Sequence, residues 1–339
     1  MRRLAALGLA LGLVAGASPA AVGRDLAGEL RSAQAALADA DYLRAYGAFL
    51  EHADNNPLAQ FTLGLFHQYG WGRPIDPAEA CRWQEKAAQG GVPAAQQLFA
   101  DCLRQGIHRA ADPAAAAHWY EQAAMSGMLM ASCSLADLYM AGVGVEKDPR
   151  KAIALCRAAA DKGIPAGQMH LAELLLEGDA MVRDRGAGLH WMRAAAQAGD
   201  GEARYRLALM LRDGVGQPAD ALAARPWMEA AASQGWLAAY LPTAELYFNA
   251  PPDPETGLLS APDLAKAYLW SAAAARRLSN SPQAEQARAL LDKVLARMPP
   301  TWRPDLDRRI DAHLGKVGAS PDGLRSTASG DKAPASASP

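Results

Sequence analysis

The chain has 339 residues, of which 50% are hydrophobic and 6% aromatic, so it is long and apolar enough to fold around a sizeable core. Its 34 Lys and Arg residues balance 36 Asp and Glu residues, and the net charge of −2 gives no electrostatic basis for binding nucleic acid.

The first segment is typical of an export signal. Arg2 and Arg3 precede an apolar stretch from Leu4 to Ala17, and Ser18-Pro19-Ala20 offers small residues for cleavage. The stretch is shorter than the roughly 20 residues of a membrane span, and no Cys follows it to carry a lipid. We therefore expect residues 1–20 to be a cleaved signal peptide, no stable membrane insertion afterwards, and a periplasmic or secreted protein. An uncleaved anchor is the alternative.

Three sets of residues then recur with a period of 36. They are Gly70, Gly106, Gly142, Gly178 and Gly214; Gly91, Gly127, Gly163, Gly199 and Gly235; and Asp76, Asp112, Asp148, Asp184 and Asp220. Three registers that share one period indicate an array in which each unit packs on its neighbours.

Each 36-residue repeat has the pattern of two helices. Apolar residues between Pro93 and Gln105 fall on one helical face, and Gly106 suits a left-handed C-cap that ends this helix. Asp112 followed by a proline is an N-cap and first turn, which begins a second helix that runs through Trp119 to Gly127.

These residues resemble the Sel-one-like repeat, a relative of the tetratricopeptide repeat. The third repeat shows the pattern best, with Leu135-Ala136-Asp137-Leu138-Tyr139, Gly142-Val143-Gly144-Val145, Asp148-Pro149, Lys151-Ala152 and Ala159-Ala160. The second repeat has His108 where the third repeat has Gly144. The sixth repeat has a longer Pro-rich loop from Asn249 to Pro262.

The resemblance covers about residues 41–309 and implies an all-α fold, a right-handed α-solenoid superhelix. We expect six helix pairs, at 57–91, 92–127, 128–163, 164–199, 200–235 and 236–279. We also expect N-terminal capping helices at 24–56, one of them from Arg24 to Ala38, and C-terminal capping helices at 280–315. Residues 316–339 have little to bury and are expected to be a disordered tail.

Four cysteines in an exported chain favour pairing. Residues equidistant from a turn lie opposite each other in an antiparallel helix pair, and both Cys81 with Cys102 and Cys133 with Cys156 meet this condition. The alternative is four buried thiols acting as small hydrophobic groups. A zinc site is not expected, because no Cys-x-x-Cys spacing occurs.

No catalytic motif appears among the remaining residues. The sequence has no His-Glu-x-x-His and no Gly-x-Ser-x-Gly, and no Gly-Lys-Ser/Thr follows the glycine-rich loop at Gly142-Val143-Gly144. We therefore expect no enzyme, no cofactor and no metal site.

In tetratricopeptide-like superhelices the first helix of each pair lines a concave groove, so the resemblance implies a binding surface there. The candidate groove residues are Phe61, Asp101, Arg104, Asp137, Met140, Met169, Glu173, Tyr205, Arg212, Glu245 and Phe248. Apolar contacts beside a row of acids suit an extended peptide. The alternative is that these are ordinary solvated or inter-repeat positions.

The favoured function is a scaffold or adaptor that binds a protein or peptide, in envelope assembly or signalling. One alternative is an organiser of an exported polysaccharide machinery, for which Phe61, Tyr205 and Phe248 are the candidate sugar-stacking rings. A weaker alternative, implied by activities ascribed to exported relatives, is a hydrolase-like or penicillin-binding protein.

Overall fold

The computed structural model describes residues 25–278, 281 and 283–318, and in this part of the chain it contains seventeen α-helices and no strand. The predicted all-α fold is therefore confirmed. The predicted signal peptide and residues 319–339 of the predicted tail lie outside the described residues. The chain divides into two compact units, one ending at Arg183 and the other beginning at Asp184.

Unit 1 is an α-solenoid in which every helix packs on the next along the chain. Its helices are α1 (Leu26–Glu29), α2 (Arg31–Ala38), α3 (Tyr42–Glu51), α4 (Pro57–Tyr69), α5 (Pro77–Gln89), α6 (Pro93–Gln105), α7 (Pro113–Met125), α8 (Leu129–Ala141), α9 (Pro149–Asp161) and α10 (Pro165–Glu177). The cap predicted as one helix from Arg24 to Ala38 is two helices, because the backbone leaves helical geometry at Leu30.

Unit 2 continues the pattern of consecutive packing from α11 to α16, and its last helix packs on α15. Its helices are α11 (Arg185–Gln197), α12 (Gly201–Asp213), α13 (Ala221–Ser233), α14 (Tyr240–Phe248), α15 (Ala261–Arg277), α16 (Gln283–Leu295) and α17 (Arg303–Gly318), with short 3-10 turns at Leu237–Ala239 and Pro300–Trp302. Helix α17 thus extends three residues past the expected end of the caps.

The periodic aspartates start the second helix of each pair. Each carboxylate accepts a hydrogen bond of 2.9 Å from the backbone N–H three residues further on, which satisfies one of the free donors of the first turn. These caps are Asp76, Asp112, Asp148, Asp184 and Asp220.

The periodic glycines end the first helices, with one departure. Gly106, for example, adopts the left-handed conformation, and its N–H bonds to the carbonyl of Cys102. Gly178 also follows the end of its helix, but with φ −66° and ψ −171° its backbone is extended rather than left-handed. The Arg183 guanidinium donates to the Gly178 carbonyl over 3.0 Å, so this loop is closed by a side chain.

The second glycine of the Gly-x-Gly loop lies against the preceding repeat. A Cβ built on Gly144 would stand 2.4 Å from the carbonyl carbon of Pro113, at the start of α7. The loop is therefore a contact between neighbouring repeats, which explains its recurrence. Repeat 2 has His108 at this position, and the ring, 4% exposed, packs near Phe99.

Two disulfides join neighbouring helices of unit 1. Cys81 on α5 is bonded to Cys102 on α6, across the boundary between repeats 1 and 2. Cys133 on α8 is bonded to Cys156 on α9, within repeat 3. All four residues are buried, so the bonds lie in the core rather than on the surface.

The long loop of the sixth pair leaves the helix contact unchanged. In repeat 3, Lys151 Nζ donates to the Tyr139 hydroxyl over 2.6 Å. In the sixth pair, Lys266 Nζ donates to the Tyr247 hydroxyl over 3.1 Å, although the chain between the two residues is longer. The extra residues are thus accommodated outside the helix pair.

Candidate functional site

Three carboxylates lie one repeat apart on the first helices of unit 1. We call Asp101 on α6, Asp137 on α8 and Glu173 on α10 the acidic row. All three residues are partly exposed, whereas the next residue along the helix, such as Cys102 or Leu138, is buried. Successive first helices therefore bring the acids to one surface of the unit while their neighbours fill its core.

Asp101 is held in place by a residue of the second helix. The Tyr120 hydroxyl, which belongs to a fully buried side chain of α7, donates a hydrogen bond of 2.5 Å to Asp101 Oδ1. Burial raises the pKa of Asp101, while the Tyr120 hydrogen bond and the nearby Arg104 charge act in the opposite direction. Burial, together with the Asp101 charge, also raises the pKa of Tyr120, so its phenol stays neutral and serves as a donor.

Arg104 and His170 connect the members of the acidic row. The Arg104 guanidinium lies 3.7 Å from Asp101 Oδ1 and close enough to Asp137 to interact with its charge. His170 on α10 places Nε2 2.7 Å from Asp137 Oδ1, one helical turn before Glu173. The surface thus presents carboxylate acceptors fixed by neighbouring donors, which suits recognition of cationic or hydrogen-bond-donating groups.

The sequence prediction missed Tyr120 and His170 as part of this surface. Tyr120 occupies a repeat slot whose other members are all buried, namely Gln84, Cys156, Met192 and Met228. A buried slot that carries a phenol in one repeat requires a polar partner. That substitution was the available signal for Tyr120. His170 is on the same face of α10 as Glu173, three residues away, which was the signal for His170.

The other unit 1 candidates are placed differently. Met140 lies under the loop that follows α10, because its Sδ accepts a hydrogen bond of 3.4 Å from the Asp179 backbone N–H. Met169 is half-buried on α10. Phe61 is only 6% exposed and packs in the apolar core with α6 residues such as Phe99. Phe61 therefore offers no surface to a partner, and we leave it out of the candidate site.

The unit 2 candidates do not repeat the arrangement of the acidic row. Arg212 is paired with Asp213, its neighbour in sequence, over 2.6 Å. Tyr205 is half-buried, Glu245 is exposed, and the Arg297 guanidinium covers the Phe248 ring at 4.7 Å from its centroid. The candidate surface is therefore best formed in unit 1.

A shallow cavity of about 340 Å³ lies in unit 2 between α15 and α17. Its lining residues are Ala261, Ala265, Thr301, Trp302, Asp305 and Leu306. Asp305 is the single titratable group among them and is paired with Arg308 over 2.8 Å. This cavity lacks the two titratable groups that acid–base catalysis needs.

Over residues 25–278, 281 and 283–318, no three His, Cys, Asp or Glu side chains are grouped so as to hold a metal ion. In the same part of the chain, none of the helices combines the length and apolar character that a membrane crossing requires.

Comparison with known proteins agrees with the repeat. The Sel1 repeat model matches the chain five times without a gap, at residues 57–92, 93–128, 129–164, 165–200 and 201–236, which is more than half of the 339 residues. Apart from Trp236, the sixth predicted helix pair, 236–279, lies beyond these matches. Among curated proteins, no sequence matches the chain.

One solved structure shows the same fold, and two others are reported beside it as more distant similarities. A Sel1 repeat protein from Oxalobacter formigenes is 25% identical, with a TM-score of 0.58, over 73% of this chain and 99% of its own. A protective antigen of uropathogenic Escherichia coli strains displaying an SLR fold is 22% identical, with a TM-score of 0.44, over 94% and 74%. An immunity protein from Pseudomonas aeruginosa is 17% identical, with a TM-score of 0.40, over 68% and 89%. The chain belongs to the Sel1 repeat family, whose members are scaffolds for protein–protein interaction.

Proposed function

We propose that the chain is a non-catalytic scaffold of the periplasm or the extracellular space, which binds a protein or peptide in envelope assembly or signalling. The acidic row of unit 1 is the binding surface. The observation that carries this proposal is the fixed, partly exposed placement of Asp101 and Asp137, which are held by Tyr120 on α7 and His170 on α10.

The charge of this surface suggests the partner's chemistry. Asp101 and Asp137 place two carboxylates beside one permanent cation, Arg104, and one imidazole, that of His170. Complementary charge steers association and selects partners. The surface therefore favours an extended segment that carries basic side chains.

Two features support an exported location. Residues 1–20 have the composition of a signal peptide. The chain also holds two buried disulfides, and such bonds persist mainly in oxidising compartments.

The alternatives receive less support from the geometry. A polysaccharide organiser would need exposed aromatic rings in the groove, yet Phe61 is buried, Tyr205 is half-buried and Phe248 is covered by Arg297. A hydrolase-like activity would need a nucleophile or an acid–base pair in a cavity. The unit 2 cavity has one carboxylate, and that carboxylate is ion-paired.

The test is a pull-down from an envelope extract with the mature wild-type chain and an Asp101→Asn/Asp137→Asn/Glu173→Gln variant. Amide replacements remove the charge but keep an acceptor for the Tyr120 hydroxyl, which an alanine at position 101 would leave unpaired. We expect a protein partner that the wild type retains and the variant loses.

A matched control removes three charges from the second helices and a loop with Glu121→Gln, Glu146→Gln and Asp161→Asn, all exposed in unit 1. This control should retain the partner. Equal recovery with both variants would contradict the acidic row as the binding surface. Recovery of polysaccharide instead of protein would favour the polysaccharide alternative.

A further inference from the structure

Helix α3 exposes an apolar stripe that no described element covers. Leu43 is 82% exposed and Leu50 is 48% exposed, and both lie on the same face, seven residues or two turns apart. Gly47 lies between them, and a Cβ built on it would meet no heavy atom within 4 Å. The opposite face of the same helix buries Ala45 and Phe49, so the exposed leucines are not part of the core of unit 1.

Two opposite charges flank this stripe on one side. Arg44 and Glu51 are also seven residues apart on α3, and both are exposed. Neither side chain has an ion-pair partner among the described residues. The exposed face of α3 therefore carries Leu43 and Leu50, and along one side of these leucines Arg44 lies near the start of the helix and Glu51 near its end.

We propose that this face of α3 binds the same face of a second copy of the chain, with the two helices antiparallel about a two-fold axis beside Gly47. A two-fold interface is self-complementary, so a residue near one end of α3 meets a residue near the other end in the second copy. Leu43 then packs on Leu50 of the second copy, and Arg44 pairs with Glu51 of the second copy. The missing side chain at Gly47 lets the two backbones approach where they cross.

The size of the surface sets the strength of this association. A ten-residue helix is about 15 Å long. A contact of that length buries less than the roughly 1,600 Å² of a standard interface. The dimer is therefore weak and its population depends on protein concentration. It uses a surface separate from the acidic row, so the two proposals can fail independently.

Sedimentation velocity of the mature chain over a wide concentration range tests the association. We expect the weight-average sedimentation coefficient to rise with concentration for the wild type, and Leu43→Glu to abolish the rise. Arg44→Glu should weaken it, because it places two anions against each other, and Arg44→Glu/Glu51→Arg should restore it. A wild type that stays monomeric, or a double variant that does not recover, would overturn the proposal. Because these side chains are exposed, circular dichroism should show all variants folded.

Cross-linking tests the position of the axis. Under mild oxidation Gly47→Cys should form a covalent dimer, because the two thiols face each other across the axis. Arg44→Cys, on the same helix, should form little, because its counterpart lies at the other end of the second copy's helix. Equal yields from the two variants would contradict the antiparallel arrangement.

Discussion

The Tyr120 hydroxyl donates a hydrogen bond of 2.5 Å to Asp101, and so connects the core of repeat 2 to the acidic surface. The Tyr120 side chain is fully buried, whereas the Asp101 carboxylate that accepts the hydrogen bond is partly exposed. Changes in the core at this position therefore alter the electrostatics of the proposed binding surface.

Tyr120→Phe tests this connection. Burial raises the pKa of Asp101, so this carboxyl's contribution to the free energy of unfolding is present below the ordinary value of 3.8 and is lost as the pH rises through the raised pKa. The Tyr120 hydrogen bond reduces that loss, because it stabilises the charged form. We expect Tyr120→Phe to raise the pKa of Asp101 further and to lower the free energy of unfolding by about 1 kcal/mol at neutral pH.

The difference in the free energy of unfolding between Tyr120→Phe and the wild type should shrink below pH 3.8, where Asp101 is protonated in both proteins. Urea unfolding at the two pH values measures it, and carboxyl NMR titration reports the pKa. A difference that is the same at both pH values would show that the hydroxyl acts through packing alone.

The two disulfides should each contribute separately to stability. Cys81 and Cys102 are 21 residues apart in sequence, and Cys133 and Cys156 are 23 apart. Loops of this length lose about 3 kcal/mol of unfolded-state entropy when closed. Replacing either pair by alanines should lower the free energy of unfolding by about that amount. Alkylation in denaturant without reduction, followed by mass measurement, should find no reactive thiol in the wild type. Four labelled cysteines would contradict the pairing.

Gly144 should tolerate a side chain less well than Gly163. Both have a positive φ, of 74° and 72°, so alanine costs about 1 kcal/mol of backbone strain at either position. A Cβ at Gly144 also collides with the Pro113 backbone, whereas a Cβ at Gly163 meets nothing within 4 Å. Gly144→Ala should therefore lower the thermal midpoint clearly more than Gly163→Ala. Equal shifts would show that the loop does not press on the preceding repeat.

Trp119→Ala tests the packing between helices of repeat 2. Its indole is partly buried and meets the Phe99 ring edge-on, with centroids 5.5 Å apart. The free energy of unfolding should fall by about 3 kcal/mol, which is at the low end for truncation of a buried aromatic residue because part of the Trp119 ring remains in solvent. His118→Ala, at an exposed neighbouring position, should change the free energy of unfolding by about 0.5 kcal/mol or less. Similar effects of the two substitutions would contradict this packing.

The fold was predictable because its signals are local and periodic. The Asp112 side chain caps the start of a helix, and Gly106 adopts the left-handed conformation that ends one, so each signal can be recognised from the residue itself. Their repetition every 36 residues predicts the order of the helices without tertiary information. Gly178 keeps the 36-residue register but not the left-handed conformation, and the Arg183 side chain closes this loop by donating to the Gly178 carbonyl.

The binding surface was only partly predictable. The helical period places Phe61 and Asp101 on related faces, but the period does not tell how deeply a neighbouring helix covers each position. Phe61 is buried by contacts with α6, while Asp101 stays partly exposed beside Arg104. The link from Tyr120 to Asp101 joins two helices across their packing face, so no pattern within one helix contains it.

The most direct measurement is site-specific photo-cross-linking in the envelope of living cells. A photoreactive residue at Ser134, one turn before Asp137 on α8, leaves the acidic row intact, and Ala154, exposed on α9, is the matched control. We expect a discrete protein adduct from position 134 and none from position 154. An adduct from position 154 alone would contradict binding through the first helices of unit 1.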